Sequence, residues 1–456
     1  MTELNIKALF SPVTKAQWTQ QVVADLKGKP FASLQRLTPD GFVTEPFYTP
    51  EDVDNLTVSK NRQALQRTPG WLTMPTVRLT TETDANAVLR DTLAKGADAL
   101  WLDLRHSNVA DLDWARLLNG LKLSDTPVWF RTEGHSGTLV NQLKPLLPYQ
   151  LRGGLVDEPM AHLLQTGDDP TDALTQLAQA TRLTLDSPQF RTLTIGSHVF
   201  HNAGATASQE LAFTLNALVE LYDYLTDNGL SIAQLLPKTM LSVSVGTSYF
   251  TEIAKLRALR ILWQRLIVHY SVFDIHYSLF LHAQTSTFYD AAATPDTNLL
   301  RATTEAMAAV IGGCDALTVH PYDAVFREPD EFSIRIARNV SILLQEEAHL
   351  DKTTDPAAGS YYLETLTQQL VEAAWALFLD VEQRGGLQAV FRSGFLQNEI
   401  EIAYQAQVEA VKAGRILVGV TRFRTEEAGN SSLANHPTAP DKPGLLLDRR
   451  LAATFE

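Results

Sequence analysis

The chain has a single cysteine, Cys314, in 456 residues. One thiol excludes an intrachain disulfide and a zinc site built on several thiolates. Cys314 follows Gly312-Gly313 in an apolar run, where a buried, unreactive thiol is expected. Positive charge is scarce as well: 38 Lys and Arg against 52 Asp and Glu leave a net charge of −14. Phosphate binding needs a basic face, so no nucleic-acid partner is expected. No stretch approaches eighteen consecutive apolar residues, and the start MTELNIKALF has no apolar run behind a basic segment. Neither a membrane span nor a secretory leader is expected, which points to the cytoplasm. Glycine-rich dinucleotide and Walker loops are missing, and so is a Gly-x-Ser-x-Gly elbow. The nearest glycine-rich stretch is RTEGHSG at 131–137. It could open a helix N-terminus to an anion, but it reads more simply as a loop.

What is present is a rhythm of short apolar runs. They fall at 77–80, 99–104, 128–132, 153–157, 192–197, 240–245, 279–284 and 316–320, most of them bounded by Gly, Pro, Asp or Ser. Runs of this length read as parallel strands buried on both faces. Between them lie helical patterns. Leu211, Leu215, Leu218 and Leu221 recur at three or four residues, as do Leu256, Leu259, Trp263 and Leu266. Eight strands each followed by a helix predict an α/β fold, a (β/α)8 TIM barrel, over residues 51–425.

Residues 1–50 differ from this pattern. A helix over 15–27 carries Trp18, Val22, Val23 and Leu26 on one face, and the turn Thr38-Pro39-Asp40-Gly41 predicts a hairpin between 34–37 and 42–44. This helix-hairpin arm is either a lid on the bottom of the chain's own barrel or a subunit-association arm. Past the last strand, helices are expected over 332–344, 366–383 and 397–413, with Gly385-Gly386 as a stop. From 426 the composition turns to Gly, Asn, Ser, Thr and Pro, and a flexible tail over 426–456 is expected.

Reactive side chains in such a barrel sit at the C-terminal ends of the strands. Six histidines are expected there: His106 after strand two, His135 after strand three, His198 and His201 after strand five, His282 in strand seven and His320 at the end of strand eight. They could hold a metal, or they could form a polar mouth that hydrogen-bonds internally. Strand one offers no His-x-His, and the nearby carboxylates are few (Asp103, Asp157, Asp323), so the polar mouth is favoured and no metal ligand is assigned.

The segments TKAQWTQQVVADLKGKP, HNAGATASQELAF, HAQTS, EAMAAVIGG, RIARN and DPAAGSY follow one another in an order that closely resembles the methylmalonyl-CoA mutase family over nearly the whole chain. The resemblance implies an acyl-CoA-binding barrel that works with adenosylcobalamin on the methylmalonyl-CoA/succinyl-CoA interconversion. It also shows departures. Where the family carries a Tyr-His pair before Ala-Gly-Ala, this chain has His198-Val199 ahead of Ala203-Gly204-Ala205. The ribose-binding Asn and Glu of the family correspond to His320 and Ala324. The substrate motif before strand one is replaced by PGWLTMPTVR at 69–78. The axial-ligand motif Asp-x-His-x-x-Gly has no counterpart, since Asp274-Ile-His276 lacks the glycine. These departures imply a non-catalytic small subunit that binds no cofactor itself. Its partner would be a large (alpha) subunit that holds adenosylcobalamin, in a heterodimer. The alternative is a catalytic acyl-CoA mutase barrel served by a separate cobalamin-binding chain. His282 and Gln284 match polar pocket positions of the family, and with His198 and His320 they read as remnants of a substrate pocket.

Overall fold

A computed structural model describes residues 13–53, 56, 62–65, 67–270, 278–424 and 444–456. Asp274 and His276 lie outside this set.

Parallel strands form two five-stranded ladders that share two interrupted strands. Strand one is split into Leu72–Thr73 and Thr76–Arg78. Its first piece pairs with strand eight (Ala316–Thr318) and its second with strand two (Leu100–Asp103). Residues alternate between the two neighbours here. Leu72 N and Met74 N donate to Asp315 O and Leu317 O beside strand eight, while Thr73 O and Pro75 O accept from Ala99 N and Trp101 N of strand two, and Pro75 has no N–H to give on that second side. The ladder then runs through strand three (Val128–Arg131) and strand four (Gly153–Val156) to the first piece of strand five, Phe190–Arg191. Strand five breaks at Thr192 and resumes as Leu193–Gly196, which pairs with strand six (Thr239–Val245). Strand seven (Phe280–Thr285) links strand six to strand eight and completes the ring. The expected barrel is therefore present. Strand one begins earlier than the apolar run at 77–80 suggested.

Alternation along each strand separates two cores. Outward residues such as Leu100, Leu102, Val128, Phe130 and Leu155 pack under the helices, against Leu89, Leu139 and Val140. Inward residues meet on the axis, where Met74, Trp101, Trp129 and Met240 belong to a separate buried cluster with the partly buried Phe280 packed against it. Trp129 stacks on Phe280 at 5.4 Å, and the Arg191 guanidinium covers the other part of Phe280 at 4.3 Å. Gly154 makes room for this plug: a Cβ there would lie 2.9 Å from Trp129 Nε1 and 2.1 Å from Arg191 O. The lower half of the barrel is thus filled by large side chains.

The helices with the clearest periodicity are long. Ala207–Asp227 starts with a full capping box from Thr206 and Gln209, Tyr249–His269 is buried along most of its length, and Tyr361–Gln383 packs on both. Arg257 lies buried among them and pairs with Asp355 and Glu364.

The arm comprises the helix Lys15–Asp25 and a hairpin of Arg36–Leu37 and Val43–Thr44, as expected. No residue of that helix is buried, and Val13, Leu37 and Phe47 are exposed. The arm touches the rest of the protein where Asp40 accepts hydrogen bonds from Ser208 N and Oγ, and where Tyr48 meets Tyr362, itself against Phe250. Ser208 and Phe250 begin the helices after strands five and six, so these contacts lie at the C-terminal face of the strands and not beneath the barrel.

The C-terminal expectation needs correction. Residues 425–443 lie outside the described set, but 444–456 pack across the mouth. Leu446 N donates to Leu164 O, Arg449 N to Asn202 O and Leu451 N to Phe288 O, while Leu446, Leu451 and Ala452 are buried. Apolar burial and backbone pairing fix a segment whose neighbours alone have a loop-like composition.

No helix among the described residues is long and apolar enough to cross a membrane. Cys314 is buried and unpaired, and burial pushes its thiol up to about 12, which removes the reactive thiolate.

Candidate functional site

Above the aromatic plug the inward positions turn polar. Register sets Ser242 beside His282, Ser244 beside Gln284, and Gln284 beside Thr318. His198, at the start of the helix His198–Ala203, leans over them. A hydrogen-bonded chain links these groups. Its direction follows from the far end, where Thr318 Oγ1 donates to the Met74 carbonyl at 2.6 Å. The Thr318 oxygen therefore accepts from His282 Nε2 at 2.9 Å. His282 Nδ1 must then accept from Ser242 Oγ at 2.6 Å, and Ser242 Oγ accepts from His198 Nε2 at 2.8 Å. His198 Nδ1 is left as the acceptor facing Ser244 Oγ at 2.7 Å and Gln284 Nε2 at 2.9 Å. Both imidazoles carry their proton on Nε2, and every ring nitrogen is in use.

Burial holds these rings neutral. Desolvation, with His320 nearby, brings His282 down to about 3. His198 is pushed well below the usual range by burial and then by His282 and Arg131. His320 falls to about 4, chiefly by burial and then by Arg131. Its backbone N donates to Thr285 Oγ1, but its imidazole makes no hydrogen bond among the described residues.

The structure thus joins His198, His282 and Gln284 as expected and sets His320 beside them. His106 and His135 are exposed and do not join this group. His201 belongs to a different buried cluster: its Nδ1 faces Glu210 at 3.2 Å, its Nε2 faces Ser286 at 2.7 Å, and Glu210 is salt-bridged to Lys255 at 2.7 Å. Burial alone would raise Glu210, but Lys255 and His201 outweigh it and hold the carboxyl at about 2. Two backbone N–H groups of the 131–137 loop are likewise satisfied from within, because Asp157 accepts from Gly134 N at 2.9 Å and Ser136 N at 3.2 Å. The helix N-terminus there already has its anion.

Two groups on the other wall were not singled out from the sequence. Arg131 occupies the inward register opposite Asp103 and beside Val156. Asp103 is committed to Arg105, with contacts of 3.0 and 2.7 Å. Arg131 has no hydrogen-bond or ion-pair partner among the described residues, and burial lowers its pKa. Glu158, just past strand four, is raised by burial, and its Oε1 is buried without a partner. Both line a cleft of about 380 Å³. Asp448, from the C-terminal segment, reaches the same region. Its carboxyl is raised by burial and drawn back by Asn202 and Arg131. Parity could have flagged Arg131, since Trp129 and Arg131 alternate with the outward Val128 and Phe130.

Fold and site together define a (β/α)8 barrel whose axis is filled by side chains and whose mouth holds a neutral histidine network beside a polar cleft lined by Arg131 and Glu158. Residues 150–440 match the family model described as methylmalonyl-CoA mutase. The methylmalonyl-CoA mutase small subunit of Porphyromonas gingivalis is 33% identical over 92% of this chain and 72% of its own length. The small subunit of Streptomyces virginiae is 31% identical with the same coverages. The large subunit of Porphyromonas gingivalis is 28% identical over 92% of this chain and 64% of that protein. The chain belongs to the methylmalonyl-CoA mutase family.

Proposed function

We infer that this chain is the non-catalytic small subunit of a cytoplasmic, heterodimeric methylmalonyl-CoA mutase, an isomerase whose large subunit carries the chemistry and the adenosylcobalamin. The observation that carries this reading is the filled axis. Met74, Trp101, Trp129, Met240 and Phe280 occupy the inward positions up to the level of His282, so an acyl-CoA cannot lie along the inside of the barrel. The mouth supports the same reading. His198 stands where catalytic relatives are expected to place a tyrosine, and both its nitrogens are engaged by the protein. The positions from which the family is expected to hold the adenosyl ribose carry His320 and Ala324, which do not offer the amide and carboxylate that role needs. No reaction step is therefore assigned to this chain. The competing idea of a catalytic barrel with a separate cobalamin-binding chain would require the plug to be absent. The relatives named small and large subunits supply the expectation of a heterodimer.

The test is turnover of methylmalonyl-CoA with adenosylcobalamin by the purified chain, the purified large subunit and the reconstituted pair. Activity is expected only where the large subunit is present. Rearrangement by this chain alone, or its tight binding of cobalamin, would overturn the assignment.

A further inference from the structure

We propose that the chamber at the barrel mouth is a binding site for a small monocarboxylate that also carries a hydrogen-bond donor, such as a 2-hydroxy or 2-amino acid, with Arg131 taking the carboxylate and Glu158 accepting from the donor. Two groups of the cleft have bonding capacity unused: the Arg131 guanidinium, without a partner among the described residues, and Glu158 Oε1; the His320 imidazole, also without a hydrogen bond there, senses Arg131. Thr132 Oγ1 in the same wall is also buried without a partner, whereas other charged and imidazole groups nearby are satisfied. Arg105 is held by Asp103, Asp157 by two backbone N–H groups, and His198 and His282 by the serine, threonine and glutamine chain. Buried polar groups in folded proteins are nearly always paired, so unpaired groups of opposite charge facing one cleft call for a ligand. Arg131 and Glu158 have opposite charge and sense each other, yet they do not approach within salt-bridge distance. A group inserted between them needs an acceptor at one end and a donor at the other.

Access and size narrow the class. The cleft of about 380 Å³ leads to Arg131 and Glu158, and both retain some exposure. Below, the chamber is closed by the plug, which excludes a long thioester chain. The rim carries exposed Glu133, Asp168, Asp169 and Asp172, which disfavour di- and trianions such as phosphate esters. Above, residues 446–451 form a roof, with the Asp448 carboxyl on the Arg131 side. A guanidinium presents two parallel donors to a carboxylate, the geometry a planar anion needs. The site is a property of this chain, whichever subunit performs catalysis.

The experiment is titration of the full-length chain, by calorimetry and by thermal shift, with glycolate and glycine. Acetate (no donor), glycolamide (no carboxylate) and inorganic phosphate serve as controls. Saturable binding is expected for glycolate or glycine, at least fivefold weaker for acetate and undetectable for glycolamide. Arg131→Met should abolish it, and with ligand absent should raise the melting temperature, because an unpaired buried cation has been removed. Glu158→Gln should leave acetate binding unchanged and reduce the advantage of glycolate or glycine over it. The proposal fails if no probe saturates, if phosphate binds more tightly than the carboxylates, if Arg131→Met binds as well as the parent, or if that variant melts lower without ligand.

Discussion

At the scale of the residue, the consequential choice is histidine at 282. The ring is neutral in the folded protein because burial brings it down to about 3, whereas an unfolded histidine titrates near its ordinary value of 6.5. As pH falls below 6.5 the unfolded chain takes up a proton that the folded chain refuses, so stability is lost down to about pH 3. The slope is about 1.4 kcal/mol per pH unit for one such group. Asp290 acts in the opposite sense: burial lifts it to about 7, so its contribution weakens as pH rises from the ordinary carboxylate range towards 7. The diagnostic is therefore a difference. Urea unfolding at pH 7, 6 and 5 should show His282→Gln losing less stability per unit than the parent, and equal slopes would refute the neutral assignment. Thr318→Val should cost about 1–3 kcal/mol, because His282 Nε2–H loses its acceptor in a buried place. The histidines were legible in the sequence because they lie within or just past apolar runs. Arg131 and Glu158 were not, because being unpaired is a property of what lies across the barrel, and adjacent residues carry no trace of it.

At the scale of the element, the plug and the arm make separate predictions. Trp129→Ala removes the stacked ring over Phe280 and should destabilise the chain by about 3–5 kcal/mol, read as a lower denaturant midpoint. The arm exposes Val13, Leu37 and Phe47, and no residue of its helix is fully buried in this chain, Trp18 being half-buried against Phe47. Under the proposed assembly, deletion of residues 1–45 should weaken association with the large subunit and change the melting temperature of the isolated chain little. A truncated chain that melts much lower yet binds its partner with full affinity would make the arm an internal lid. Seven of the eight strands lie where the apolar runs placed them, since a strand buried on both faces writes itself as an uninterrupted run. Strand one was misplaced because Pro75 reads as punctuation, whereas here it marks the point where the strand changes partners. The end of the chain was misjudged for a similar reason: Leu445, Leu446 and Leu447 sit among residues with a loop-like composition, and their docking site on Leu164 is nearly three hundred positions away.

At the scale of the whole molecule, the proposed function predicts a one-to-one complex with the large subunit on size exclusion. Separate elution of the two chains at micromolar concentration would count against it. The shared breaks in strands one and five have a consequence for how the protein opens. The hydrogen-bond ladder is not one belt but two arcs, one running from Thr76 to Arg191 and the other from Leu193 through Thr318 back to Thr73. Strand one still bridges the arcs, because Thr73 O accepts from Ala99 N and Pro75 O from Trp101 N while Leu72 N and Met74 N donate on the strand-eight side. At strand five the arcs are joined by covalent chain at Thr192, by Thr194 Oγ1 donating to Leu155 O and by side-chain packing. Native-state hydrogen exchange should therefore resolve two cooperative units with a boundary at Thr192, each exchanging with its own free energy. In that sense the barrel is a clasp hinged at strand one, with a seam at strand five along which it is built to come apart.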